Sequence, residues 1–437
     1  LVHVPSVTTA TSKLTRNELK TKAAPSLPNG VSLVLGVNIH LGKERTAAIS
    51  HEQRLRHMHN VGATGTGKST LLQNFMYQDL EAGRGFALLD PHGDLVENIL
   101  ERIPQKRLKD VIVIDPSNTE FPIAFNILMA HSEVERNVLS SDLVAIFKRL
   151  STSWGDAMNS VFANGILAFL ESTKGGTLMD LRRFFVEKSF RDEFLETVSD
   201  PSIHYYWKKE YPLLKSNSIG PILTRMDSFL RPRIIRNMVA QKTSLDFAGI
   251  MNRQKILLVK LPQGLIGTEN SYLLGSIIVS KIYQTAMARQ AMEVSERKDY
   301  YLYVDEFQHF ITPSMTHILS GARKYRLGLV LAHQDMRQLV KEDTELSDAI
   351  MSNAGTRICF RVGDTDAKRF ENGFSYFNEQ DLQNLSTGQA ICRIERPEND
   401  FNLLVRQPTI QGNFQMRDEV INHSNASYGT PRSEVEK

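Results

Sequence analysis

The 437-residue chain is 41% apolar and 23% charged, values of an ordinary globular protein that exclude a disordered or fibrous one. Its net charge of +3 is too small to argue for nucleic acid, so any basic surface must be local. No apolar run of about 18 residues is present, which excludes a membrane-spanning helix. The cysteines, Cys359 and Cys392, sit in apolar runs without metal or redox spacing, as in a reduced cytosolic protein.

Residues 1–30, rich in Thr, Ser, Lys and Pro without periodicity, read as a disordered arm or linker. Over 31–132 and 242–410, short apolar runs alternate with helical patterns. The predicted strands are Phe86–Leu89, Val111–Ile114, Ile256–Val259, Tyr301–Val304, Leu327–Leu331, Arg357–Val362 and Ala390–Ile394. Most are continuously apolar, as in strands covered on both faces. The helices between them imply an α/β fold with a mostly parallel, doubly wound sheet. Residues 133–241 break this rhythm. They carry helical patterns at Val134–Leu150 and Ser160–Leu170 and both tryptophans, Trp154 and Trp207, and read as an inserted all-α domain. Residues 411–437 are expected to be a polar surface tail. A start at Leu1 and a stop at Lys437 read as a trimmed fragment, with an anchor or further domain outside it.

The segment Gly62-Ala63-Thr64-Gly65-Thr66-Gly67-Lys68-Ser69-Thr70 matches the P-loop spacing in full. Glycines let backbone N–H groups turn inward around a phosphate, in conformations a Cβ forbids. Lys68 places a charge on the β- and γ-phosphates, and the Ser69 hydroxyl is a Mg²⁺ ligand. Leu71, Leu72, Phe75, Met76 and Leu80 follow at helical spacing until Gly83, so the phosphates of ATP would sit on a helix N-terminus.

Asp305-Glu306 directly follows the apolar run Tyr301–Val304. At a strand's C-terminal end Asp305 can hold the metal shell and Glu306 can polarise the attacking water. This points to hydrolysis rather than transfer to a small molecule. Gln334, at the tip of the run Leu329–His333, is a candidate γ-phosphate sensor. Asp90-Pro91-His92-Gly93-Asp94 emerges after another strand and reads equally as turn chemistry or as part of the site.

Together these residues resemble the FtsK–HerA superfamily of DNA-pumping ATPases, and most closely its TraD/TraG-type conjugative coupling proteins of type IV secretion. The resemblance is carried by Arg56-His57, Gly62–Thr70, Gly85–Asp94, Asp115-Pro116, Phe125-Asn126, Val304–Gln308, Arg323–Gln334 and Asn353–Val362. It implies a RecA-like core assembled as a ring, usually a hexamer, with ATP between subunits and DNA through the pore. It also implies an arginine donated across the interface. Arg323, Arg357 and Arg361 are candidates, and Arg357 is preferred. The resemblance places the all-α segment against DNA or a relaxase.

Residues 201–240 hold Lys208, Lys209, Lys215, Arg225, Arg231, Arg233 and Arg236 against Glu210 and Asp227, interleaved with Tyr205, Tyr206, Trp207 and Tyr211. Such a segment suits sequence-independent DNA binding; the competing reading, preferred for any single residue, is a solvated helical face with the aromatics packed inward. The leading expectation is a ring-forming DNA translocase, cytoplasmic and held at the inner membrane face by a partner or by a region outside this chain. Its expected partners are a relaxase and secretion channel. The rivals are a HerA-like DNA-processing or anti-phage ATPase working with a nuclease, and a nucleotide-dependent docking scaffold.

Overall fold

The computed structural model describes residues 20–130, 133–149, 151, 154–214, 219–336, 339 and 344–437. Eleven strands form one sheet: β1 (Val31–His40), β2 (Lys43–Ser50), β3 (Met58–Val61), β4 (Phe86–Asp90), β5 (Val111–Ile114), β6 (Ile256–Lys260), β7 (Tyr300–Val304), β8 (Leu327–His333), β9 (Thr356–Cys359), β10 (Gln389–Ile394) and β11 (Asp400–Leu404). Their order is β2-β1-β11-β10-β9-β3-β8-β7-β4-β6-β5. From β9 to β5 every neighbouring pair is parallel. The strands β2, β1, β11 and β10 run antiparallel and join this block through the β10–β9 pair.

The strands β4 and β7 are buried along their whole length, and successive side chains enter two different cores. On β4, Ala87 and Leu89 point to one core while Phe86 and Leu88 point to the other; on β7, Leu302 and Val304 oppose Tyr301 and Tyr303. This is the two-residue strand period applied to a sheet packed on both faces. One face carries helix Lys68–Glu81, the other helix Thr268–Ala288 and the helices of 133–239.

The predicted strands are present, with one shortened. Pairing of the segment expected at Arg357–Val362 stops at Cys359. The chain then turns to hold the P-loop, with Phe360 N–H donating to Val61 O and Ala63 N–H donating to Arg361 O (2.8 and 2.9 Å). The antiparallel strands β1, β2 and β11 lie outside the predicted set: β2 is polar and exposed over its first half, Asp400 and Asn402 interrupt the five-residue β11, and Gly36 and Asn38 interrupt the apolar text of β1. The β1–β2 hairpin turns on Leu41 (φ 50°) and Gly42 (φ 72°), both left-handed as a two-residue hairpin loop requires.

Residues 133–239 form helices including Glu133–Arg149, Asp156–Glu171, Leu178–Val186, Lys188–Leu195, Gly220–Leu230 and Arg233–Val239. Their apolar residues join the sheet face in one continuous cluster, so this segment shares its core with the sheet. Its two ends are stitched together at Phe125-Asn126. Phe125 N–H donates to Met238 O, Asn126 N–H to Thr243 O, and the buried Asn126 amide to Gly176 O and Lys242 O.

The expectation of a polar tail after residue 411 is corrected. Phe414–Tyr428 is a helix, capped by Asn413, that buries Val420 and Ser424; Ser424 Oγ accepts from Val113 N–H of edge strand β5 at 2.9 Å. Its weak apolar stripe hid it. Of the expected N-terminal arm, residues 1–19 lie outside the described residues. Residues 20–24 are pinned: Lys22 pairs with the buried Asp400, and Ala24 N–H donates to Asn38 Oδ1. Among the described residues no helix is long and apolar enough to cross a membrane.

Candidate nucleotide site

The P-loop lies between β3 and the helix Lys68–Glu81, at the C-terminal edge of the parallel block. Gly67 (φ 122°) is the helix N-cap and Gly65 (φ 75°) is also left-handed. A Cβ on Gly62 would stand 2.6 Å from Phe360 Cβ, so glycine is required there by the close approach of Phe360, the residue after β9. Thr66 Oγ1 donates to Ala63 O at 2.7 Å and closes the loop on itself. Lys68 is buried, and its Nζ donates to Gly62 O and Ala63 O at 2.5 and 3.2 Å. Burial lowers its pKa against the opposing pull of Glu306 and Asp305. Ser69 is exposed and Thr70 half-exposed, so the Ser69 hydroxyl is open to a ligand.

β7 delivers the acids. Asp305 N–H donates to Leu89 O at 3.1 Å, so the acid sits beside the end of β4. Burial, then Glu306 and Asp90, push the Asp305 carboxyl up to about 7, although Lys68 opposes them. Glu306 is buried in left-handed backbone (φ 47°), a strained position for a residue with a Cβ. Both of its carboxylate oxygens are held: Gln334 Nε2 donates to Oε1 at 2.5 Å and Gln308 Nε2 to Oε2 at 2.8 Å. Gln334 Oε1 in turn accepts from Thr64 Oγ1 at 2.7 Å. A chain Thr64–Gln334–Glu306–Gln308 therefore joins the P-loop to the candidate general base. Beyond it, the main-chain oxygens of Gln308 and Ile311 accept from the Arg149 guanidinium at 3.2 and 3.5 Å, at the end of helix Glu133–Arg149.

Asp90 has a turn role: its carboxylate accepts from the backbone N–H of His92, Leu95 and Val96. The preference for Arg357 as an arginine donated across an interface is overturned. Arg357 is 1% exposed and donates to its own chain at Met351 O; a side chain facing the sheet's core cannot reach a neighbouring subunit. Arg361 is exposed, beside the P-loop, while Arg323 is paired with Glu52. Behind the loop lies an unforeseen pair. His59 and His333 stack with Nε2 atoms 2.7 Å apart, one donating to the other, fully buried.

The cavity over the phosphate loop is lined by Gly65, Gly67, Lys68, Ser69 and Thr70, and also by Thr387, Gly388, Val405 and Gln407. Sequence reasoning missed these last four and Gln308. The text Ser386-Thr387-Gly388 signals a turn, but nothing local ties that turn to a loop so distant in the chain.

In the 201–240 segment the aromatics mostly face inward. Tyr206 and Trp207 are buried, Tyr211 stacks under Arg191, and Tyr205 is 61% exposed. Lys208 and Lys209 are exposed, Arg233 pairs with Glu436, and Lys215 lies outside the described residues.

Residues 299–370 match the family described as the TraM recognition site of TraD and TraG. Over most of its length the chain is similar to the plasmid coupling protein TrwB bound to a non-hydrolysable GTP analogue. That likeness has a TM-score of 0.64 at 16% identity and covers 89% of this chain and 97% of that one. The fold is that of the conjugative coupling proteins. TrwB with ADP and Mg²⁺ gives a TM-score of 0.62 at 16% identity, over 90% and 98% of the two chains. VirB4 of Thermoanaerobacter pseudethanolicus gives 0.63 at 13% identity, over 88% and 99%. The sequence matches none of the curated proteins. The RecA-like fold and the TraD/TraG likeness expected from the sequence are thereby shown, with β7, Asp305, Glu306, β8 and Gln334 all inside the matched segment.

Proposed function

We propose that this chain is an ATP-hydrolysing motor that assembles as a ring, a homo-hexamer, and drives DNA through its pore in conjugative transfer. The observation that carries the reading is the hydrogen-bonded chain from Thr64 of the P-loop through Gln334 to Glu306. It couples the phosphate-binding loop to a carboxylate placed to activate water. Lys68 and the N–H groups at Gly65–Thr70 would bind the triphosphate. Ser69 and Asp305 fit a Mg²⁺ ion: one is an exposed hydroxyl, the other a buried carboxyl crowded by two further acids. Mg²⁺ would supply charge neutralisation at the phosphates.

Solved TrwB complexes with ADP and Mg²⁺ and with a non-hydrolysable ATP analogue support nucleotide binding at this fold. The TraM-recognition match favours a conjugative partner, a relaxase complex and secretion channel, over a nuclease. Such a motor would work at the inner face of the membrane, held there by a partner.

The test is Glu306→Gln. ATP turnover should fall by about 10²–10⁴-fold while ATP binding is retained. Wild-type turnover should rise on adding DNA to the assembled protein. Normal hydrolysis by the variant would sink the catalytic assignment, and turnover indifferent to every DNA would sink translocation.

A further inference from the structure

A nucleoside triphosphate whose phosphates rest on Gly65–Ser69 must lay its ribose and base along the rest of the same cavity. That remainder is walled by Thr70, Thr387, Gly388, Val405 and Gln407. We propose that Thr387, Val405 and Gln407, at the open end of the β10–β11 hairpin, form the shelf that holds the nucleoside. The inference rests on the nucleotide-binding reading of the P-loop.

The shelf is fixed to the loop. Gly388 N–H donates to Thr66 O, and Val405 N–H donates to Gly388 O, both at 2.8 Å. The ladder of the hairpin thus runs one bond beyond the Gln389–Leu404 pair and ends on the phosphate loop. Two glycines permit that approach. A Cβ on Gly67 would lie 3.3 Å from Gly388 Cα, and Gly388 itself has φ 79°, a backbone that disfavours any side chain. The shelf's distance from the phosphate site is therefore set by backbone, not by mobile side chains.

Its chemistry suits a nucleoside. Val405, largely buried in the core beneath it, contributes an apolar patch of the cavity wall for a base or sugar face. Both backbone groups of Gly388 are already bonded, so polar recognition falls to the exposed Thr387 hydroxyl and the exposed Gln407 carboxamide. A carboxamide carries both donors and an acceptor, as the edge of a purine does.

The experiment compares binding of ATP with binding of inorganic tripolyphosphate, which has no nucleoside, to the full chain. Thr387→Ala/Gln407→Ala should weaken ATP by about tenfold, the equivalent of about 1.4 kcal/mol, and leave tripolyphosphate unchanged. Lys68→Ala should weaken both ligands, which tests the P-loop reading separately. If the double variant binds ATP as the wild type does, or loses both ligands equally while circular dichroism shows it folded, the shelf is wrong. If the wild type binds neither ligand, the P-loop reading falls and the shelf with it.

Discussion

Glu306 occupies left-handed backbone, which costs a residue with a side chain about 1–3 kcal/mol. The surrounding amides of Gln334 and Gln308 hold it there. Gln334→Ala removes the amide that also reaches Thr64. Because no interaction with the base or sugar is touched, kcat should fall by about tenfold or more while KM moves by less than about twofold. Steady-state kinetics decide this; a raised KM at unchanged kcat would make Gln334 a binding residue instead. Arg357→Ala makes the opposite prediction. Its side chain is core, so the substitution should cost about 1–3 kcal/mol of stability, read as a lower thermal midpoint. Lost turnover at an unchanged midpoint would restore a role across an interface.

Three buried imidazoles impose a pH dependence. Burial pushes His57 down to about 4 and His333 to about 3, and holds His59 well below 6.5. Arg357 and Arg393 face His59, and Lys68 faces His333, adding to the disfavour, while Asp335 opposes it. In the unfolded chain each imidazole titrates near about 6.5, so the unfolded state takes up protons first. Their contribution to stability is complete above that pH and is lost as pH falls toward the folded values. Asp305, raised to about 7, takes up its proton in the folded state first and opposes this, but the three imidazoles outnumber it, so the denaturant midpoint should drop between about pH 7.5 and about pH 5. His59→Asn with His333→Asn should flatten that drop.

At the scale of elements, the C-terminal helix covers strand β5, the edge of the parallel block, and satisfies Val113 N–H through Ser424. Ending the chain after Pro408 would expose that edge and the pocket for Val420. An uncovered apolar edge strand invites pairing with other chains. The shortened protein should lose about 2–4 kcal/mol in chemical unfolding and aggregate where the full chain does not. The parallel strands were legible because each is an apolar run buried on both faces. The helix Phe414–Tyr428 was not legible, since it buries chiefly Val420 and Ser424 and its remaining text is polar. The edge strand β2 and the short strand β11 failed for a related reason: polar residues interrupt their apolar text, and local patterning cannot separate such text from loop. In the candidate site, Lys68, Ser69, Asp305 and Glu306 are proposed from the sequence because a short local pattern marks each. Gln308, Thr387 and Gln407 reach the site through tertiary contacts that no spacing records.

On the scale of the whole molecule, the sheet separates two packed faces, and the helices of 133–239 continue the core of one of them. The Arg149 guanidinium leaves the last turn of helix Glu133–Arg149 and grips the main chain two and five residues beyond Glu306. The carboxylate is thus suspended between the phosphate loop and the helical lobe, like a bead on a cord held at both ends. Thermodynamic linkage makes any such coupling mutual. Were ATP at the P-loop to change the lobe's affinity for a ligand, that ligand would change the affinity for ATP by the same factor.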